Sequence, residues 1–179
     1  MKSISIIFLF FITSCSIAST WPELTCDNQT SWLEIRKLRL CIDKNNVNSL
    51  NIMNSSTPSV SINYKGNEYI FIKQVPDDVT GGLHKKFKLT LDQYFSALIN
   101  RGNDQDFAVA YKVHELESSD QITKFYKNNW SAYLLISNTR SFDEIFIINK
   151  QDERVFQIGG EFNQANALEL LTKIQLPKI

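Results

Sequence analysis

Chemistry in this chain would have to come from two histidines, three cysteines and scattered acids. His114-Glu115 offers a base beside a residue that could orient it, as general acid–base catalysis requires. The pair follows a segment that alternates like a strand, however, and adjacent strand residues point to opposite faces. His84 lies in a basic run, and an ordinary structural or surface histidine is the economical reading of both. A cysteine nucleophile needs a free thiolate, whereas Cys26 and Cys41 form an even pair suited to a disulfide. The acids Asp77-Asp78 and Asp152-Glu153 fall in expected turns, where such residues are common for backbone reasons. Asn100 to Asp106 has the composition of a calcium loop without the alternating ligand spacing, and reads as a helix stop. The zinc-protease pattern His-Glu-x-x-His and the hydrolase pattern Gly-x-Ser-x-Gly do not occur. The sequence therefore predicts no catalytic residue, no metal site and no cofactor.

The amino-terminal residues carry an address. Met1-Lys2 is a short positive start, Ile4 to Ile12 is an apolar run, and Thr13 to Ala18 is a small-residue exit. That order is a secretory signal peptide, too short to cross a bilayer of about 30 Å as a helix. Two cleavage readings compete. Ser16-Ile17-Ala18 is a small-x-small site that would leave Ser19 first. Ile12-Thr13-Ser14-Cys15 resembles the bacterial lipobox, which implies lipidation of Cys15 and, with Ser16 following, an outer-membrane anchor. Either cut leaves Cys26 and Cys41 in an oxidising compartment, where a disulfide is the natural state. Closing a loop of about 15 residues is worth roughly 3 kcal/mol in the chain-entropy model. A metal site is the weaker alternative, because neither histidine lies near these thiols in sequence. Three Asn-x-Ser/Thr sequons, at Asn28, Asn54 and Asn129, are what chance supplies in a chain so rich in Asn, Ser and Thr.

The remaining chain is the size of one domain, 19–179, or from Cys15 on the lipidated reading. Nineteen basic residues balance nineteen acidic ones, which argues against nucleic-acid binding, since that needs a basic face. His84-Lys85-Lys86-Phe87-Lys88 is the one basic patch and reads as a solvated turn leading into a strand.

The elements needed to position any site read as mixed α and β. Leu38 to Ile42 alternates as a strand, and the Asn/Ser-rich stretch from Asn45 to Ser59 reads as loop. Val60 to Tyr64 and Glu68 to Lys73 flank a Gly-containing turn and predict a hairpin. Pro76 to Gly82 is a second loop. Thr90 with Gln93 has the capping-box spacing for a helix carrying Leu91, Tyr94, Phe95, Leu98 and Ile99. Phe107 to Val113 predicts a strand, and Ser118 or Ser119 a short helix running to Lys127. Three strands follow, Ala132 to Ser137, Glu144 to Asn149 and Arg154 to Ile158. Gly159-Gly160 reads as a bulge or tight bend. A last helix is capped by Asn163, carries Ala167, Leu168, Leu171 and Ile174, and stops at Pro177. The expected class is α+β, a mostly antiparallel sheet with about three packed helices.

From Tyr133-Leu134-Leu135-Ile136 through Glu144 to Ile148 and Val155 to Gly160, ending in an Ala-x-x-Leu-Leu helix, the second half resembles Mog1/PsbP-like α/β sandwich domains. The resemblance implies a sandwich fold and a binding or accessory role, and it supplies no site residue. Address and chemistry together predict an exported, non-catalytic binding protein of the bacterial envelope. The expected activity is immunity, blocking a toxic effector delivered into the periplasm, with a protein as partner and the membrane met only through a lipid at Cys15. The expected contact loops hold Asp77, Asp78, His84, Lys85 and Lys86, and then Asn103 and Asp104. Trp32, Phe125, Tyr126, Trp130 and Tyr133 would serve as anchors where exposed. An accessory lipoprotein that stabilises an envelope complex is the alternative, and a small hydrolase with an unrecognised site is the third.

Overall fold

The structure is a computed structural model and describes residues 18–26, 30–54, 56–66, 68–75, 79–100, 105–117, 119–137 and 139–177. Three layers build an α+β fold. The middle layer is an eight-stranded sheet. Its chain-order members are β1 (Ser19–Thr20), β4 (Val47–Met53), β5 (Ser59–Tyr64), β6 (Tyr69–Val75), β7 (Gln121–Lys127), β8 (Trp130–Ile136), β9 (Asp143–Asn149) and β10 (Val155–Gly160). A second sheet of three strands holds β2 (Thr30–Ile35), β3 (Leu38–Asp43) and β11 (Ile174–Gln175). The helices are α1 (Leu83–Lys86), α2 (Leu91–Asn100), α3 (Ala108–Val113) and α4 (Gln164–Thr172).

Strand order in the large sheet is β1-β7-β8-β9-β10-β6-β5-β4. Every neighbouring pair is antiparallel except β1, which runs parallel to β7. The central strands are apolar on both faces because both faces are covered. On one face, Ala132, Leu134, Ile145, Ile147, Phe156 and Ile158 meet Leu38, Leu40, Leu170 and Leu171 of the small sheet and α4. On the other, Tyr133, Leu135, Phe146 and Ile148 meet Leu91, Tyr94, Phe95 and Leu98 of α2. The strand period of two sends alternate residues into these two cores.

Local chemistry explains the helix starts. Thr90 Oγ1 accepts from the Gln93 amide at 3.2 Å, and Gln93 Oε1 accepts from the Thr90 amide at 2.9 Å. Asn163 and Asn166 make the same reciprocal box at the start of α4. These satisfy amides that a helix leaves without partners in its first turn.

Several expectations meet a different structure. The stretch read as loop after Asn45 contains β4, an exposed edge strand that has little to bury and so keeps a polar composition. Phe107 to Val113 is a 3-10 turn followed by α3, not a strand. Its buried residues, Phe107, Ala110 and His114, follow a helical period, but one is small and one polar, so strand-like alternation dominates the sequence. The segment read as a helix to Lys127 is β7, where pairing along the whole of β8 outweighs a weak helical pattern. The basic run forms α1 instead of leading into a strand, and Ile174 leaves the last helix to pair with Leu40.

Gly159-Gly160 is neither bulge nor bend. Both glycines sit in an unbroken ladder with β6, where Gly159 faces Phe71. The Phe71 ring lies where a Cβ on Gly159 would stand. An aromatic ring laid over a strand glycine restores the contacts that the missing side chain removes.

Cys26 and Cys41 are bridged, with Cα atoms 6.1 Å apart. Replacing both by Ala should lower the unfolding free energy by about 3 kcal/mol, measured by denaturant titration of the oxidised protein and the double variant. Gly159→Val should displace the Phe71 ring and cost about 1–3 kcal/mol. An unchanged denaturation midpoint would show that the ring is not held there.

Candidate partner-binding surface

The hairpin β2–β3 brings together the side chains best suited to recognition. Leu33, Ile35, Leu38 and Leu40 point inward and pack in the core, which leaves Trp32, Glu34 and Arg39 on the outer face. Trp32 is 38% exposed, and the Arg39 guanidinium lies 4.5 Å from the centroid of its ring. Arg39 Nη1 also donates to Gln175 Oε1 at 2.8 Å, and Glu34 lies 4.0 Å away. Arg39 thus meets three side chains, and its guanidinium lies over the indole. The Cys26–Cys41 bridge and the β3–β11 pairing fasten the same outer face to the body.

The tip of the hairpin is strained. Arg36 and Lys37 form its two-residue turn with φ of 49° and 74°. Positive φ at both central residues is the type I′ geometry that normally selects Asn-Gly. Long cationic side chains are held there at a backbone cost, and strain of this kind concentrates at functional positions. Both residues line a cleft of about 720 Å³ that also holds Gln74, Asp152 and Arg154. Arg154 Nη2 donates to Asp152 Oδ2 at 2.7 Å, so one cation of the cleft is balanced.

The helical layer stops short of β6, and a second cleft of about 610 Å³ opens there, on the other face of the large sheet. Lys73, Glu144 and Gln157 lie among its walls with Phe71 and Phe142. Arg140 is committed to structure at its rim. It donates to the Leu135 carbonyl at 2.9 Å, to the His114 carbonyl at 3.1 Å and to Glu144 at 3.1 Å. Gln157 Nε2 donates to the other Glu144 oxygen. His114 is buried between Tyr94, Phe95 and Phe146. Burial first, and the Arg140 charge second, push its imidazole down to about 4.

A third cluster ties α2 to the sheet. Tyr133 Oη lies 2.7 Å from Asp92 Oδ1 and 2.8 Å from Ser96 Oγ. Lys124 Nζ donates to Ser96 Oγ at 2.8 Å and to Asp92 at 3.3 Å. Burial alone would raise the Asp92 carboxyl, but hydroxyl donors and the Lys124 charge outweigh it and hold it below the carboxylate range. Burial drives the Tyr133 phenol far above its ordinary value, which makes it a hydrogen-bond donor and no base. The cluster is a polar clamp between helix and strands.

Of the residues expected at the site, Cys26 and Cys41 are joined as predicted. Lys85 and Lys86 are exposed on α1, while His84 is buried with Nδ1 2.6 Å from Thr80 Oγ1 and presents nothing outward. Cys15, Asp77, Asp78, Asn103 and Asp104 lie outside the described residues. Phe125, Trp130 and Tyr133 belong to the cores, and Trp32 and Tyr126 are the exposed aromatics of the expected set. Sequence reasoning missed Arg36, Lys37 and Arg39. The signal was present, since Ser31 to Ile35 before Arg36-Lys37 and Leu38 to Ile42 after it is a hairpin pattern. A turn without Gly or Asn conceals it. Among the described residues, no group of three or more His, Cys, Asp or Glu is placed to hold a metal ion. No described helix is long and apolar enough to cross a membrane. Comparison with protein-family models, curated proteins and solved structures finds no match to this chain.

The His114 environment sets a pH dependence. An unfolded histidine titrates near 6.5, whereas the folded ring stays neutral down to about 4. The contribution is fully present above about pH 6.5 and shrinks by about 3 kcal/mol as pH falls toward 4. Urea titrations across that window should show the loss, and His114→Phe should flatten it.

Proposed function

We propose that this chain is an exported, non-catalytic binding protein of the bacterial envelope, and that it confers immunity by occluding an effector that acts in the periplasm. The observation that carries this reading is the Trp32–Arg39 pair, a half-exposed indole locked by a guanidinium on a disulfide-stapled hairpin. Trp and Arg dominate binding energy at protein interfaces, and side chains ordered before contact lose little entropy on binding. The strained Arg36-Lys37 tip beside them supplies a cationic wedge. A wedge of that charge suits a partner with an acidic cleft, because complementary charge speeds encounter and fixes orientation. The disulfide supports the oxidising address that the leader implies. The resemblance of the second half to Mog1/PsbP-like domains belongs to the same proposal and rests on the sequence pattern alone.

The test is a growth competition between a strain lacking this gene and its parent, on a surface where contact-dependent killing operates. The deletion strain should die selectively, and an exported copy should rescue it. Trp32→Ala should weaken protection by at least the roughly 30-fold affinity loss of a hot-spot truncation. Arg36→Asn with Lys37→Gly should relieve the turn, raise stability by about 1 kcal/mol, and still protect less well. Equal fitness of deletion and parent under verified killing would overturn immunity and favour the accessory-lipoprotein role.

A further inference from the structure

Strand β4 ends the large sheet, and among the described residues it has one neighbour, β5. Its outer edge therefore presents backbone N–H and C=O groups without a ladder. Natural edge strands are normally blunted by charge, proline or bulges. Here Val47 to Met53 contains no charged residue and no proline. The ladder with β5 is irregular between Val47 and Ser49, and beyond that point it is regular from Ser49 to Met53. Asn51 is the centre of that regular stretch.

The sequence around Asn51 reads nearly the same in both directions: Asn48, Ser49, Leu50, Asn51, Ile52, Met53, Asn54. Folding the regular stretch onto its own copy about a two-fold axis at Asn51 sets Leu50 against Ile52, Asn51 against Asn51, and Ser49 against Met53. Leu50 and Ile52 pair with Ile62 and Val60 of β5. They lie on the apolar face of the sheet, yet they are 38% and 65% exposed. A two-fold interface must be self-complementary, with residue i meeting j and j meeting i. An unrelated partner strand imposes no such symmetry.

We propose that β4 is a homodimer edge, at which two copies of this chain pair antiparallel about Asn51 and join their large sheets into one. The occupant is a second copy because the exposed Leu50 and Ile52 meet each other across the axis and no charge on the strand repels its like. The interface is mostly one strand from each copy. It therefore falls at the small, weak end of specific contacts, below about 1,200 Å².

The experiment uses the exported protein recovered from the envelope with its disulfide intact. Sedimentation equilibrium, carried to about 1 mM because small interfaces bind weakly, should show a monomer–dimer equilibrium. Ile52→Lys puts a charge on an exposed position, leaves the fold alone, and should raise the dimer Kd at least tenfold. Opposed antiparallel residues have Cα atoms about 4.5–5.5 Å apart, within the disulfide range. Asn51→Cys should therefore give a reducible dimer on a non-reducing gel of expressing cells. Ser49→Cys and Met53→Cys should do so only when co-expressed. A monomer at the highest concentration overturns the proposal. So does a dimer indifferent to Ile52→Lys, or an Asn51→Cys chain that stays uncrosslinked.

Discussion

Strands β6 and β10 meet across a long stretch of sequence, and six residue pairs, from Val75 with Val155 to Ile70 with Gly160, hold them in register. This ladder joins two structures that are otherwise locally connected. On one side stand β4, β5 and β6, and on the other the meander from β7 to β10. Register is fixed from both faces, because Ile70, Ile72, Phe156 and Ile158 share one core while Val155 enters the other. A slip of one residue would send each of these to the wrong side. The glycines of β10 belong to the same constraint. The Phe71 ring can lie flat against the ladder only because Gly159 has no side chain.

With that ladder in place, the outer layers follow. The chain between β6 and β7 has to cross one face, and the helices it forms cover the strands nearest β7. The face beneath β6 stays open, and the cleft of Lys73, Glu144 and Gln157 is the result. On the opposite face, α4 and the small sheet share a core, and β11 pairs with β3. The β2–β3 hairpin is therefore anchored at its base by chain from the far end of the sequence. Its outer face is free to carry Trp32 and Arg39 because its inner face is fully used.

Much of this was legible in the residues, and the exceptions share a cause. The α+β class, the β5–β6 hairpin, the Thr90–Gln93 capping box, the Asn163 cap, three central strands and the disulfide all follow from patterns that short-range chemistry enforces. The central strands were easy because burial on both faces leaves an unbroken apolar run. β4 was hidden because an exposed edge needs no apolar pattern, so Asn and Ser read as loop. α3 was hidden because its buried face is built from Phe107, Ala110 and His114, which no hydrophobic pattern marks. The site was the least legible part. Arg36 and Lys37 occupy a turn that ordinarily announces itself with Asn-Gly, and Arg39 gains meaning only when pairing sets it over Trp32. The Asp92–Ser96–Lys124–Tyr133 clamp is likewise created by tertiary contact alone.

The parallel pairing of β1 with β7 ties distant stretches of sequence together at the edge of the large sheet. Ser19 and Thr20 pair with Phe125 and Tyr126, and Trp21 is buried with its indole donating to the Leu171 carbonyl at 3.1 Å. Ser19 to Trp21 are thus built into the body of the fold. Trp21 and Leu171, 150 residues apart in sequence, close one core together, so loosening either segment opens it for both.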